Sequence, residues 1–261
     1  MLRVVGHCLT SPILGHIGQR HQHMRATLLL TRPFEQSLET AKRCEGLSAN
    51  IVVSSLIEIV PTADMPETPA DSSFVVTSQN GARRLPETQE GIVVFCVGDR
   101  TAQIASELGY VTKSAKGDVD DLLSLINRRD EIGPLVHVRG VHTSGDLVAK
   151  LSAQGHQASE WIAYDQREQP LSADAKLALN GEKPIILPLF SPRTASLLLA
   201  QGPFSAPIHP IGMSQAVLDA LGSMQTHPPR VAARPTADAM LTEIEALLSQ
   251  PHRLESGSVS G

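Results

Sequence analysis

Short apolar runs, stretches of helical spacing and turn residues alternate along almost the whole chain. The run Ala26 to Leu30 stops at Thr31-Arg32-Pro33, which predicts a buried strand and a turn. Phe34 to Arg43 has helical spacing and is stopped by Gly46; Ile51 to Val53 and Leu56 to Val60 predict two further strands. Pro61 to Asp71 carries three prolines and several acids, the composition of a boundary or linker. A second series follows: strand Phe74–Val76, short helix Ser78–Leu85, strand Ile92–Val97, helix Thr101–Leu108, helix Val119–Asn127 and strand Leu135–Val138. It ends with a helix from Gly145 to Gln154 and a strand at Trp161-Ile162-Ala163-Tyr164. The third series is strand Ile185–Leu189, helix Ser191–Ala200, strand Ile208–Ile211, helix Ser214–Leu221, short strand Val231-Ala232 and helix Asp238–Leu248. Strands alternating with helices predict parallel sheets covered on both faces. Pro188 inside a predicted strand points to a bend or a sheet edge there.

The second and third series repeat one unit. Val75-Val76-Thr77-Ser78-Gln79-Asn80-Gly81-Ala82 aligns with Pro188-Leu189-Phe190-Ser191-Pro192-Arg193-Thr194-Ala195. Val97-Gly98-Asp99-Arg100-Thr101-Ala102 then aligns with Ile211-Gly212-Met213-Ser214-Gln215-Ala216, and both following helices end in Leu-Gly, at Leu108-Gly109 and Leu221-Gly222. The third series lacks an opening strand-helix pair, and the first series supplies one. The economical arrangement is a discontinuous domain, residues 24–60 plus 166–250, with a second domain, residues 61–165, inserted into it. Two chain crossings then tie the halves together, and ligands commonly sit in such clefts.

Composition narrows the class. A chain of 261 residues exceeds the usual single domain, and 41% hydrophobic with 19% charged residues is a globular balance. Aromatics make up 3%, so the cores must rest on Leu, Ile, Val and Ala. A net charge of −5 argues against a nucleic-acid binder, and no apolar run is long enough to span a bilayer. Cys8, Cys44 and Cys96 are widely spaced and support neither a disulfide framework nor a zinc site. His137 and His142 flank Arg139 without a carboxylate at ligand spacing, so no metal is expected. Residues 1–23 lack a basic start and a cleavage site and read as a disordered extension or a mis-set start; residues 251–261 read as a disordered tail.

Candidate chemistry sits where strands end. Ser78 and Ser191 suit helix N-caps, Pro192 suits a first helical position, and Gly98 and Gly212 permit close backbone approach, with Thr101 and Ser214 just beyond. Free amides at helix starts beyond strand ends bind anions, although capped helices are also common without any ligand. Arg32, Arg83, Arg84, Arg100, Arg139 and Arg193 all lie within a few residues of a predicted strand end, where guanidinium groups would suit carboxylates. Asp99 reads either as an acid or as a helix-start charge.

These segments resemble the uroporphyrinogen-III synthase family. The matching stretches are Leu30-Thr31-Arg32-Pro33, Val76 to Ala82, Val97 to Ala102, Val138-Arg139-Gly140, Trp161 to Tyr164, Phe190 to Ala195 and Ile211 to Ser214. Ser214 stands where the family more often has Thr, and Pro188 and Gly81 depart from its pattern. The resemblance implies two similar parallel-sheet α/β domains of flavodoxin-like topology joined by a two-stranded connector. It implies closure of hydroxymethylbilane to uroporphyrinogen III, with the last ring inverted and water lost, by a cytoplasmic, monomeric, cofactor-free enzyme of haem biosynthesis. Hand-over from hydroxymethylbilane synthase is the implied partnership. On this reading Arg32, Thr77, Ser78, Asn80, Gly98, Thr101, Arg139, Ser191, Arg193, Gly212 and Ser214 are the candidates for holding the substrate's carboxylates. Tyr164 is the candidate proton donor to the departing hydroxyl, set at the return crossing and facing the cleft. A phenol of ordinary pKa, about 10, stays protonated at neutral pH. A silent two-lobed binding or regulatory domain for an anionic ligand is the competing expectation, because a fold does not specify a reaction.

Overall fold

The computed structural model describes residues 25–88, 91–129, 132–142 and 145–249; the ends expected to be disordered lie outside these residues. The chain builds two sheets. The first holds β1 (Ala26–Leu30), β2 (Ala49–Val53), β9 (Ile185–Leu189), β10 (Ile208–Gly212) and β11 (Arg230–Val231) in the order β11-β10-β9-β1-β2, all parallel. The second holds β3 (Ile57–Pro61), β4 (Ser73–Val76), β5 (Val93–Cys96), β6 (Val111–Ser114), β7 (Leu135–Gly140) and β8 (Ala158–Glu168) in the order β3-β8-β7-β4-β5-β6.

In chain order the first sheet reads 2-1-3-4-5, the flavodoxin-like arrangement. The second, without β3, reads 3-2-1-4-5 when its strands are numbered in chain order from β4 and read from the β6 edge. The two orders coincide when the first sheet is counted from β9. Strands β9, β10 and β11 then match β4, β5 and β6, while β1 and β2 match β7 and β8. The sheets are one unit, cyclically shifted along the chain, and this accounts for a third series without an opening of its own.

Helices follow the strands: α1 (Phe34–Arg43), α2 (Gln79–Ala82), α3 (Asp99–Glu107), α4 (Val119–Asn127), α5 (Leu147–Ala153), α6 (Ala173–Leu179), α7 (Pro192–Leu199), α8 (Gln215–Asp219) and α9 (Ala237–Leu248). Several starts are set by local chemistry. Asp118 and Asp121 form a capping box on α4; Ser172, Ser191 and Thr236 each accept a first-turn amide of α6, α7 and α9. Among the described residues no helix is long and apolar enough to cross a membrane.

Each sheet feeds a core on both faces, which is why its strands read as unbroken apolar runs. In β1, Leu29 packs with α6, α7 and α8, whereas Leu28 and Leu30 pack with α9 on the other face. In β4, Phe74 and Val76 face α2, α3 and the β8 ring of Trp161, while Val75 faces α4 and α5.

Three expectations change. The second sheet is not wholly parallel, because β3 pairs antiparallel with β8, from Ile57↔Glu168 to Pro61↔Tyr164. Pro188 is not at an edge: β9 is the central strand of the first sheet. Its ladder with β1 covers only Ile185 and Ile186, and pairing with β10 continues past Pro188, so the missing N–H falls where the β1 ladder has ended. Gly81, unexpected for the family, is a helical residue of α2 whose added Cβ would lie 2.9 Å from the Val138 carbonyl oxygen. β6, α6 and the full length of β8 are elements that the apolar pattern did not reveal.

Two buried histidines make stability depend on pH. His137 on β7 and His209 on β10 are each held down to about 4, chiefly by burial, with Arg139 adding to the first and His227 and Arg230 to the second. Both are neutral when folded, whereas an unfolded histidine takes up its proton near 6.5. The unfolded chain therefore binds more protons below that point. Urea midpoints are expected to be level above pH 6.5 and to fall between pH 6.5 and 5, where carboxylates stay ionised. A flat profile over that window would show that neither ring is held neutral.

Candidate functional site

In the first sheet, the turn after β1 places Arg32 over the Phe190 ring at 4.0 Å. Burial lowers its guanidinium to about 10, an effect opposed by Glu39 and reinforced by Arg83. After β9, Ser191 Oγ accepts the Thr194 amide at 3.2 Å and lies 2.8 Å from Thr194 Oγ1. Arg193 turns toward β8, donating to the Gln166 carbonyl at 3.0 Å and to Gln166 Oε1 at 3.1 Å. After β10, an added Cβ on Gly212 would lie 2.6 Å from Leu218 Cγ, so this glycine makes room for its own helix. Ser214 starts α8 without capping it through its side chain.

The second sheet uses its equivalent turns differently. Thr77 Oγ1 lies 3.4 Å from Nε2 of the buried His137. Ser78 Oγ accepts the Gly81 amide at 3.0 Å and lies 3.0 Å from the Tyr164 hydroxyl. Tyr164 is 4% exposed, so its ring lies within the core rather than on an open wall. Burial raises its phenol above the ordinary value, with hydrogen bonds at Ser78 and Gly140 pulling the other way. The ring lies close against Gly140, where an added Cβ would sit 2.6 Å from Tyr164 Cε2. A register shift between Arg139 and Gly140 sets that glycine opposite Tyr164.

Gly98 differs from Gly212: an added Cβ would meet nothing within 4 Å, and the first turn of α3 has no side-chain cap. Thr101, in that first turn, is buried. Arg139 grips Glu160 through Nε at 2.7 Å and Nη2 at 2.9 Å and donates from Nη1 to the Gly140 carbonyl at 2.8 Å. Its fork is thus already filled by the protein.

A cavity of about 520 Å³ lies beyond the carboxyl ends of β1 and β2, a size suited to a small-molecule ligand. Pro33 to Glu35, Val53 to Ser55, β3, α2 and Gln169 to Ser172 surround it. Asn80, Arg83 and Arg84 are its contribution from the second sheet's helix layer. Two parallel links join α1 to α2: Gln36 Nε2 donates to Asn80 Oδ1 at 3.0 Å, and Arg83 Nη2 to Glu39 Oε1 at 2.6 Å. Arg100 reaches the same Glu39 oxygen at 2.8 Å, and Arg84 Nε donates to the Ala163 carbonyl at 3.1 Å.

Of the sequence candidates, the fold brings together Ser78 and Tyr164, and sets Asn80 alone on the cavity wall; Ser191, Arg193, Gly212 and Ser214 sit at other strand ends. Arg83 and Arg84, expected among the strand-end arginines, line the cavity, as do Ser54 and Ser55, which sequence reasoning missed. The signal for the serines was present, a hydroxyl pair between two predicted strands.

Fold and cavity together define a class: two-sheet α/β proteins with a ligand site at strand ends, beside a double strand crossing. Within that class the match is specific. Residues 39–242 match the model of the family described as uroporphyrinogen-III synthase HemD, and the chain belongs to this family, whose members are lyases. In fold it is similar to the uroporphyrinogen-III synthetase of Helicobacter pylori 26695, with 16% identity, a TM-score of 0.58, and coverage of 86% of this chain and 100% of that one. A mutant uroporphyrinogen III synthase of the extremely thermophilic bacterium Thermus thermophilus matches at 12% identity and a TM-score of 0.46, over 86% of this chain and 99% of that one. A search by sequence among curated proteins finds no significant match.

The packing of Tyr164 gives a direct test. Gly140→Ala is expected to cost about 1–3 kcal/mol, as overpacking does, in urea denaturation. In a Tyr164→Ala background the same change should cost almost nothing. An equal loss in both backgrounds would show that Gly140 is not there for the ring.

Proposed function

We propose that this enzyme converts hydroxymethylbilane to uroporphyrinogen III, inverting the last pyrrole ring and releasing water. The observation that carries the reading is the family match over residues 39–242, which begins within α1, ends within α9 and takes in every strand of both sheets except β1. We further propose that residues 24–60 with 166–250 form one domain and 61–165 the other, with β3 and β8 as the connector. The substrate then lies between them.

The reaction asks little covalent chemistry of the protein. Loss of the hydroxyl leaves an electron-poor carbon on the first ring, and the pyrrole nitrogens supply the electrons. The substituted carbon of the last ring attacks it, giving a spiro intermediate that fragments and recloses. Holding the chain so that this carbon is the nearer one is catalysis by orientation. Acetate and propionate arms on every ring offer many handles. Arg83, Arg84, Ser54 and Ser55 on the cavity wall supply donors for them, as do the uncapped amides of α3 beside Gly98. Tyr164 supplies the proton for the departing hydroxyl. Burial keeps its phenol protonated, and Ser78 fixes its hydroxyl at 3.0 Å. Movement of the two halves about the β3–β8 pair brings that buried hydroxyl to the substrate. On the same reading the enzyme is a cytoplasmic monomer that takes its unstable substrate from hydroxymethylbilane synthase.

Freshly prepared hydroxymethylbilane, with the product isomers separated by chromatography, tests the reaction. The type III isomer is expected; only the symmetric type I isomer, at the spontaneous rate, would leave a silent binding domain as the better account. Tyr164→Phe is expected to lower kcat by about 10²-fold or more, the usual worth of a general acid. Unchanged turnover in that variant removes Tyr164 from the mechanism and leaves the reaction standing.

A further inference from the structure

Three arginines and one acid meet where α1 approaches α2 and α3. Glu39 of α1 takes Arg83 at 2.6 Å and Arg100 at 2.8 Å through a single oxygen, Oε1. Arg32 lies close enough for both Glu39 and Arg83 to act on its charge. Three positive charges therefore lie near one negative charge, a surplus of two, and Arg83 among them lines the cavity. The arginine fork is also only half used. Arg83 Nη1 is buried without a hydrogen-bond partner, a costly state for a charged donor. Thr31 Oγ1, Ser55 Oγ and Gln79 Oε1 are likewise buried and without a partner among the described residues. Arg83 and Ser55 both line the cavity, so two of the four residues with orphaned groups border space a ligand can enter.

We propose that Arg83 and Arg100, backed by Arg32, form a carboxylate-binding site that Glu39 fills in the ligand-free protein and that a carboxylate arm of the substrate takes over. The ligand class is a flexible polycarboxylate, and the proposal rests on the tetrapyrrole reading above. The exchange is balanced electrostatically. One carboxylate replaces another, so the guanidinium groups are never left bare, and once Glu39 has swung out an arm can take Nη1 as well as Nη2 of Arg83. Glu39, whose side chain is 35% exposed, needs only a rotamer change to reach water. The surplus charge favours the incoming arm, because it can engage donors that Glu39 leaves unused.

The test uses the full-length protein and uroporphyrin III, a stable polycarboxylate, as the probe in equilibrium titrations. Glu39→Gln removes the internal competitor and should tighten binding about threefold or more, the scale of a part-exposed ion pair. Arg83→Gln and Arg100→Gln should each weaken it by at least as much. Opposite signs are the signature of displacement. If Glu39 merely braces the fold, all three variants weaken binding together, and that result, or no change in Glu39→Gln, overturns the proposal. Failure of the probe to bind any of them overturns it too. Should Glu39→Gln not fold, Glu39→Asp, one methylene shorter, is expected to tighten binding in the same direction. The isomer assay is independent: type III product with same-sign shifts keeps the reaction and discards the site, whereas opposite signs without type III product keep the site and discard the reaction.

Discussion

The antiparallel pairing of β3 with β8 is the constraint on which the rest hangs. The chain leaves the first sheet through Ser54 to Leu56, enters the second as β3, and returns along β8, whose other edge is bonded to β7. Backbone hydrogen bonds along five residue pairs hold this crossing, from Ile57↔Glu168 to Pro61↔Tyr164. Everything at the site is referenced to it. Tyr164 ends the paired stretch, Arg193 binds the backbone of Gln166, and Arg84 binds the carbonyl of Ala163. Gln169 N donates to the Leu56 carbonyl and Ser172 N to Ser54 Oγ, so the two exits are stitched together as well.

One unit used twice does not give two equivalent sites. The glycines after β5 and β10 occupy matching places, yet Gly98 faces open space and Gly212 faces Leu218. The serines after β4 and β9 both cap a helix, but Ser78 also meets Tyr164 and Ser191 meets only its own helix. The cavity follows this asymmetry, lying at the ends of β1 and β2 and borrowing Asn80, Arg83 and Arg84 from the other half. Repetition therefore supplies scaffolding, and divergence at the turns supplies chemistry.

The energetics of the arginines divides them by task. Arg139 has its donors engaged by Glu160 and the Gly140 carbonyl, and Arg193 donates to both oxygens of Gln166. Arg83 and Arg100 share a single oxygen of Glu39, Arg100 also donates to Gln103 Oε1, Arg32 stacks on Phe190, and Arg83 keeps a buried Nη1 with no partner among the described residues. Of these, Arg83 lines the cavity, and a buried guanidinium donor without a partner lowers stability.

Local chemistry was legible in the chain. Apolar runs such as Phe74 to Val76 and Ile185 to Leu189, serine caps at Ser78 and Ser191, and the doubled Leu-Gly helix stops predicted strands, helices and the repeat, since each depends on neighbours within one turn or one strand. The half-polar edge strand β6 and the short helix α6 carried too weak an apolar signal to be seen that way. The tertiary structure alone decided the rest: the antiparallel crossing, the central place of Pro188, the burial of Tyr164 and the meeting of Glu39 with Arg83 and Arg100. These join residues dozens of positions apart, and only the packing of one half against the other determines which donors are consumed and which remain free.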